Sequence, residues 1–545
     1  MKEKLSAAAI GQQPLDEKER ELLTEIYNRL EVFEQGCRPY HEAAREAREI
    51  LRMRDPRQDD GENEGKPTLQ LQTLKSTFNN VVAEQMQNMP EARILPETPE
   101  QSSMAEDLQD AVRFIVYDVN NYETIHRRIA EDLYGPGTAV IQTVWDPSMN
   151  YGKGDIAIIR WPIEAFLWDT KAEYLQDSRA CIKVSWHPLS WYEAHYPDKA
   201  PYINAEDGQH NEVGMPESQK DMLGEDEGRA MLLEYWYREY NAKSHRYTIN
   251  VAYCAGGALL ENHKDVYWHG MYPFDLDVHS TVEGSMVGEG MVTELAPMMR
   301  YINRYARYID TNLRMSSKGR MLTRRNSGID RNALADWSQD IIEGDHIVNG
   351  EDWGWLQHAP LNGMVVNQML QMQTDLKQDS GANDFSRGIG NGGITAASAI
   401  EAMQEMSNKR SRMISRQLHE SFRDAVRLEI EVEREFNYFA RTVNVVVDGE
   451  LVERSFESAM LEREAPGGVR VPLEFYIRVR AQQEMKYSAS SQNELALKML
   501  QAGIVNPRQA AELMVFEGRE QVLKELNEQQ DQQQKQGGNN EEQLD

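Results

Sequence analysis

Residues 383–405 read NDFSRGIGNGGITAASAIEAMQE, a glycine-rich stretch that runs straight into a helical pattern. Gly388, Gly390, Gly392 and Gly393 open positive φ to the backbone at nearly every second residue, and only Phe385 and Ile389 offer apolar anchorage. A loop so lightly held, between two helical segments, is suited to touching a partner that moves. It is not a phosphate cradle. Such a cradle needs a preceding strand and a closing Lys-Ser or Lys-Thr pair, whereas here a helix pattern precedes and Ile394-Thr395 closes. Gly152-Lys153-Gly154 lacks the flanking pattern as well. Thr395 or Ser398 reads as an N-cap, and Glu401, three residues after Ser398, completes a capping box.

The 545 residues imply several domains, and 40% hydrophobic with 27% charged residues fits a soluble globular chain with real cores. The net charge of −30 argues against tight binding of nucleic acid, which needs a basic surface, but not against letting it slide past. Cys37, Cys181 and Cys254 match no metal spacing and read as buried thiols of a reducing compartment. The N-terminus lacks a signal-peptide pattern, and no run of about 18 apolar residues predicts a transmembrane helix; the stretch 247–260 comes nearest, interrupted by Asn250 and two glycines.

Helical spacing predicts two helices at 16–35 and 39–54, the first with Leu22, Leu23, Ile26, Leu30 and Phe33 on one stripe. Further helices are expected at 69–89, 102–121, 122–134, 287–318, 363–381, 398–439, 487–503 and 507–526. Val365, Met369, Met372 and Leu376 mark one face of 363–381. Alternation predicts strands at 91–97, 180–186, 231–239, 246–255, 258–266, 442–447, 451–456 and 471–479. A hairpin is expected around Gly152-Lys153-Gly154-Asp155, between Val140–Trp145 and Ile156–Arg160, and another at Asp448-Gly449. Residues 203–228 are polar and acidic and read as a long loop; 319–362 are mixed and turn-rich.

Charge is unevenly spread. Residues 291–325 hold Arg300, Arg304, Arg307, Arg314, Lys318, Arg320, Arg324 and Arg325 against Glu294 and Asp310. Residues 326–362 hold Arg331 against seven acidic residues. Arg300, Arg304 and Arg307, at i, i+4 and i+7, share a helix face. That face is either solvated and locally salt-bridged, exposed to phosphate, or paired with another subunit's edge. Asp275, Asp277 and His279 alternate along PFDLDVHS, so they stand on one side of a strand; a solvent-facing strand edge is a simpler reading than a metal site. Trp161, Trp168, Trp186, Trp191, Trp353 and Trp355 read as core and interface anchors. No HExxH, CxxC or serine elbow gives an enzyme reading an anchor.

In this order the elements resemble the portal proteins of tailed bacteriophages, most of all the larger portals of short-tailed phages, over roughly residues 20–526. The motifs that carry the likeness are FNNVVAEQMQNMPEARILPE (78–97), EDLYGPGTAVIQTVWD (131–146), EGSMVGEGMVTELAPMMRYINRYARYIDTNLR (283–314), and the glycine loop with its helix. The resemblance implies an α+β, mostly helical, portal-type subunit with wing, stem, clip and short crown that assembles into a ring. It implies a wing at 1–286, a first stem helix at 287–318, a clip at 319–362 and a second stem helix at 363–382. A tunnel loop would follow at 383–397, the long helix with returning wing strands at 398–486, crown helices at 487–526, and a disordered tail at 527–545. On this resemblance the crown is expected to be short, without the long C-terminal barrel of some relatives.

The resemblance implies a dodecameric ring at one capsid vertex of the virion, assembled in the host cytoplasm. The ring would be a channel for packaging and ejecting double-stranded DNA and a docking hub. Its partners would be the terminase motor, major capsid and scaffolding proteins, and a tail or head-completion adaptor, with no membrane. Asp384, Phe385, Arg387, Gly388, Gly390, Gly392 and Gly393 would face DNA in the tunnel loop. Arg300, Arg304, Arg307 and Lys318 are the candidates for stem channel or interface. No catalytic residue, cofactor or metal is expected, since the ATP-hydrolysing motor is a separate partner. The alternatives are another phage head–tail connector or capsid-associated structural protein and, from a different class, a nucleic-acid enzyme such as a terminase subunit.

Overall fold

The computed structural model describes residues 13–53, 70–86, 89–205, 228–242, 245–317, 320–323, 353–356, 361–381, 409–437, 439–447, 450–465, 469–481, 489–501, 505, 509–511 and 514. Helices and small antiparallel sheets alternate along the chain, the α+β organisation expected from the sequence. The chain divides into two compact units, the larger comprising 1–85, 124–143 and 158–421, the smaller 86–123, 144–157 and 422–545.

The larger unit opens with one helix, Glu17–Leu51, where the sequence predicted two. Its start is a capping box: the Asp16 carboxylate accepts the Glu19 N–H at 2.7 Å, and the Glu19 carboxylate accepts the Asp16 N–H at 3.1 Å. Pro39 lies inside it, at a cost of about 3 kcal/mol for the lost hydrogen bond and ring clash. The buried stripe offsets that cost. Leu23, Ile26, Leu30, Phe33 and Cys37 lead in phase to Ala44, Ala47 and Ile50, so a break at the proline would take the second half off its contact face. Gly36 is a point of close approach here, not a stop: a Cβ there would sit 3.0 Å from the Thr170 side chain. One residue on, the Cys37 thiol lies 3.5 Å from the Trp168 carbonyl, and burial pushes its pKa up to about 12.

The main sheet of this unit has five strands in sequential order: Phe166–Trp168, Ala180–Pro188, Arg229–Asn241, Arg246–Ala255 and Ala258–Tyr267. The last four match the alternation in the sequence. Gly256 and Gly257, both at positive φ, turn the final hairpin as a two-residue loop of the primed kind, and any Cβ on Gly256 would strike the Asn204 backbone. The predicted hairpin of Thr138–Asp146 and Asp155–Trp161 forms, and Thr138–Gln142 also pairs with Phe274–Val278.

Beneath the Glu17–Leu51 helix lies a buried charge network. Arg48 donates to Glu164, with Asp132 at 3.5 Å, and Arg160 grips Asp132 with two guanidinium nitrogens. Burial works against the Arg48 cation, but Glu164 and Asp132 hold its pKa above the usual arginine range. Burial likewise works against the Glu164 anion, and Arg48 wins, holding it below the usual carboxylate range.

In the smaller unit, Pro90–Pro96 pairs with Phe475–Ala481, and Arg441–Val447 pairs with Glu450–Phe456. The helix Ser102–Arg113 packs on both pairs and passes into a π-helical turn, Phe114–Val119. The strand expected at 471–479 is two strands, Val469–Pro472 and Phe475–Ala481. Pro472 has no N–H for a ladder, and the Leu473 N–H turns aside to the Leu461 carbonyl at 2.8 Å. The helix Lys409–Phe436 ends three residues earlier than expected, where the Asn437 side chain folds back onto Glu433. Arg441 then bridges Asp155 and Glu433, with all three side chains buried.

Candidate functional site

The basic helix of the sequence is Met291–Ser317. Its first residues do not join it: Gly288–Glu289 pairs instead with Ser280–Thr281. One side of the helix, with Met291, Val292, Leu295, Met299, Ile302 and Ala306, is buried, and the Glu17–Leu51 helix packs there. Asn303 on that side accepts the Leu71 N–H at 3.0 Å.

The three arginines that share spacing do not share an environment. Arg300 is committed within the subunit to Glu46, 254 residues away, and is half-buried, which lowers its pKa. Arg304 is exposed, its guanidinium 5.2 Å from the Tyr301 ring centroid. Arg307 is half-buried. Tyr301, Tyr308 and Leu313 are each more than half exposed.

Packed against this helix is Gly363–Asp379, whose N-cap Asn362 accepts the Met364 N–H at 3.0 Å. Along the expected stripe Leu376 is fully buried, while Val365, Met369 and Met372 are half-buried. Met364 and Leu370 are more than half exposed. The two packed helices therefore each leave large apolar side chains exposed, with Arg304 exposed beside Tyr301. Between them in sequence, Arg320–Thr323 pairs with Trp353–Leu356. Lys318, the loop residues Asp384, Phe385, Arg387, Gly388, Gly390, Gly392 and Gly393, and the stretch 206–227 lie outside the described residues.

The strand with Asp275, Asp277 and His279 is not a solvent-facing edge. Asp277 and His279 are buried, and Asp275 accepts the Ser421 hydroxyl at 2.6 Å. Alternation was read correctly as one-sided, but the side faces inward. Burial, then the charges of Asp275 and Glu420, pushes the Asp277 carboxyl well above the usual range. No three metal-ligating side chains converge among the described residues. Trp168 is core, as expected, while Trp191 is half-buried and stacked between His187 and His195 at 4.1 and 4.2 Å.

Sequence reasoning missed the Arg441 network and the Arg48 network. Their partners are far apart along the chain, and no local spacing marks them.

The arrangement offers apolar and cationic contact surface. The family model for phage P22-like portal protein matches residues 30–545. No curated protein matches the chain. A match over nearly the whole length, on a fold with the element order read from the sequence, means that the chain belongs to the P22-like portal protein family, structural proteins of bacteriophages that serve DNA packaging.

Proposed function

We propose that copies of this chain close into a dodecameric ring at one capsid vertex, with a channel through which double-stranded DNA is packaged and ejected. The ring docks the terminase motor on one side and tail or head-completion proteins later, and it meets capsid and scaffolding proteins at its rim. Met291–Ser317 and Gly363–Asp379 serve as the stem, residues 319–362 as the clip, and residues 383–397 as the loop that follows the DNA.

One observation carries this reading: large apolar side chains left exposed on the two packed helices. Tyr301, Tyr308 and Leu313 on one helix, and Met364 and Leu370 on the other, are each more than half exposed. Each such side chain contributes roughly 1.5–3 kcal/mol when fully buried, so a second copy seated there gains several such contributions. That gain works against the repulsion between copies that each carry a net charge of −30. The same acidity suits a conduit, since each phosphate–cation contact along a channel adds friction.

Negative-stain images of the purified protein test the reading. Closed rings with a central opening are expected; monomers at every concentration overturn it.

A further inference from the structure

We propose that the ribbon formed by Pro90–Pro96 and Phe475–Ala481 docks on the sugar–phosphate backbone of double-stranded DNA through Arg93, Arg478 and Arg480, residues distinct from those assigned to the channel.

The register sets the composition of the face. Glu91 lies opposite Arg480, Arg93 opposite Arg478, and Leu95 opposite Tyr476, and opposed residues point to the same side of a ribbon. The other side carries Ala92 and Ile94, which are buried, and the Ser102–Arg113 helix packs on that strand. On the outer side Arg93, Arg478 and Arg480 are exposed, and Tyr476 is 61% exposed. Three cations against one anion on a six-residue face run counter to a chain of net charge −30.

The Arg93–Arg478 pair is the telling feature. Like charges directly opposite one another weaken a strand pair. No carboxylate among the described residues bridges either guanidinium. The fold therefore holds two cations together at a cost to its own stability, and a polyanion would turn that cost into attraction. Arg478 and Arg480, two residues apart on a strand, stand about 7 Å apart and form a row suited to a linear array of phosphates. Arginine and tyrosine are both common donors to phosphate oxygens. Nothing on the ribbon is shaped to read bases, so the contact is indifferent to sequence. An acidic segment of a second copy is the competing occupant. DNA is favoured because the family packages it and because a repeating phosphate row matches the arginine row. The inference rests on that packaging role and not on the ring reading.

The test is fluorescence anisotropy of the full chain with a short random-sequence duplex across a salt series, with negative-stain images of the same samples. The variant Arg93→Ala/Arg478→Ala is expected to lower the slope of log affinity against log salt by about 1.8, two phosphate contacts' worth. Its unfolding midpoint should equal or exceed the parent's, because the repulsion is gone. Arg93→Lys/Arg478→Lys, which keeps both charges, should keep the slope. Arg38→Ala/Arg52→Ala, which removes two exposed arginines already paired with Glu42 and Glu49, should also keep it. An unchanged slope in the ribbon variant overturns the proposal, as does an equal loss in the Arg38/Arg52 control. Loss of self-association with DNA binding intact also overturns it and assigns the face to a second copy. Whether rings form is scored separately, so failure of the ring reading leaves this result interpretable.

Discussion

The two units solve the same problem, a charge taken out of water, in different ways. In the larger unit two arginines meet two carboxylates: Arg48 and Arg160 against Glu164 and Asp132. In the smaller unit one arginine, Arg441, meets Asp155 and Glu433, and a third carboxyl, Glu429, is completely buried beside them with neither oxygen hydrogen-bonded among the described residues. Burial, then Glu433, pushes the Glu429 carboxyl well above its usual range; Arg441 pulls the other way without prevailing. The network in the larger unit balances charge with cations, whereas in the smaller unit burial favours the protonated form of Glu429. A proton is set by the medium and an arginine is not, so the smaller unit is the one whose stability tracks pH through this kind of network.

The sharpest way to break the comparison is to remove one arginine from each network. Arg441→Met leaves Asp155 and Glu433 buried without their cation, which is expected to cost the smaller unit about 3–5 kcal/mol. Arg48→Met should cost the larger unit less, because Arg160 still holds Asp132 and only Glu164 is orphaned. Denaturant unfolding read by peptide-resolved hydrogen exchange assigns each loss to its unit. Equal losses would mean that the spare arginine contributes nothing and that the two networks are alike.

Next in size is the proton itself. Because the folded pKa of Glu429 is raised, its contribution is fully present below the ordinary glutamate value of 4.5 and is lost as pH rises through the folded value. Over that window the parent should lose up to about 1.4 kcal/mol per pH unit from this one group. Glu429→Gln, which cannot ionise, should flatten that slope in the smaller unit. Asp277 adds the same sign of dependence to the larger unit, so the readout has to be local. An unchanged slope in the smaller unit of the Glu429→Gln protein would show that Glu429 is already ionised there, and the proposed contrast would vanish.

How far the sequence revealed this molecule follows from what it encodes locally. The four strands from Ala180 to Tyr267 were legible because alternation and the Gly256-Gly257 turn are properties of neighbours in sequence. The helix Glu17–Leu51 was misread because Pro39 is a local signal for a break, while the stripe that overrides it is buried by residues more than a hundred positions away. Asp277 was misread because alternation shows that residues share a side but not which way the side faces. Of the candidate site, the helix pair was legible as periodicity. The environment of Arg300 was not, since Glu46 lies 254 residues back, and Arg441 finds Asp155 across 286.

The smallest expected effect sets a lower bound on what charge pairing does in this chain. Arg454 contacts Glu106, Asp107 and Asp110, with the two aspartate contacts at 2.9 and 3.2 Å, all on or beside one helix face. Like Arg441 it is one cation among three carboxyls in the smaller unit. Unlike Arg441 it stands at the surface, where water solvates the carboxylates once the arginine is gone. Arg454→Met should therefore cost less than about 1 kcal/mol, and the loss should shrink further in high salt. Measured by denaturant unfolding beside Arg441→Met, it separates the number of carboxyls from their burial as the cause. A loss as large as that of Arg441→Met would mean that the ratio of acids to arginine, and not the exclusion of water, makes the buried network costly to break.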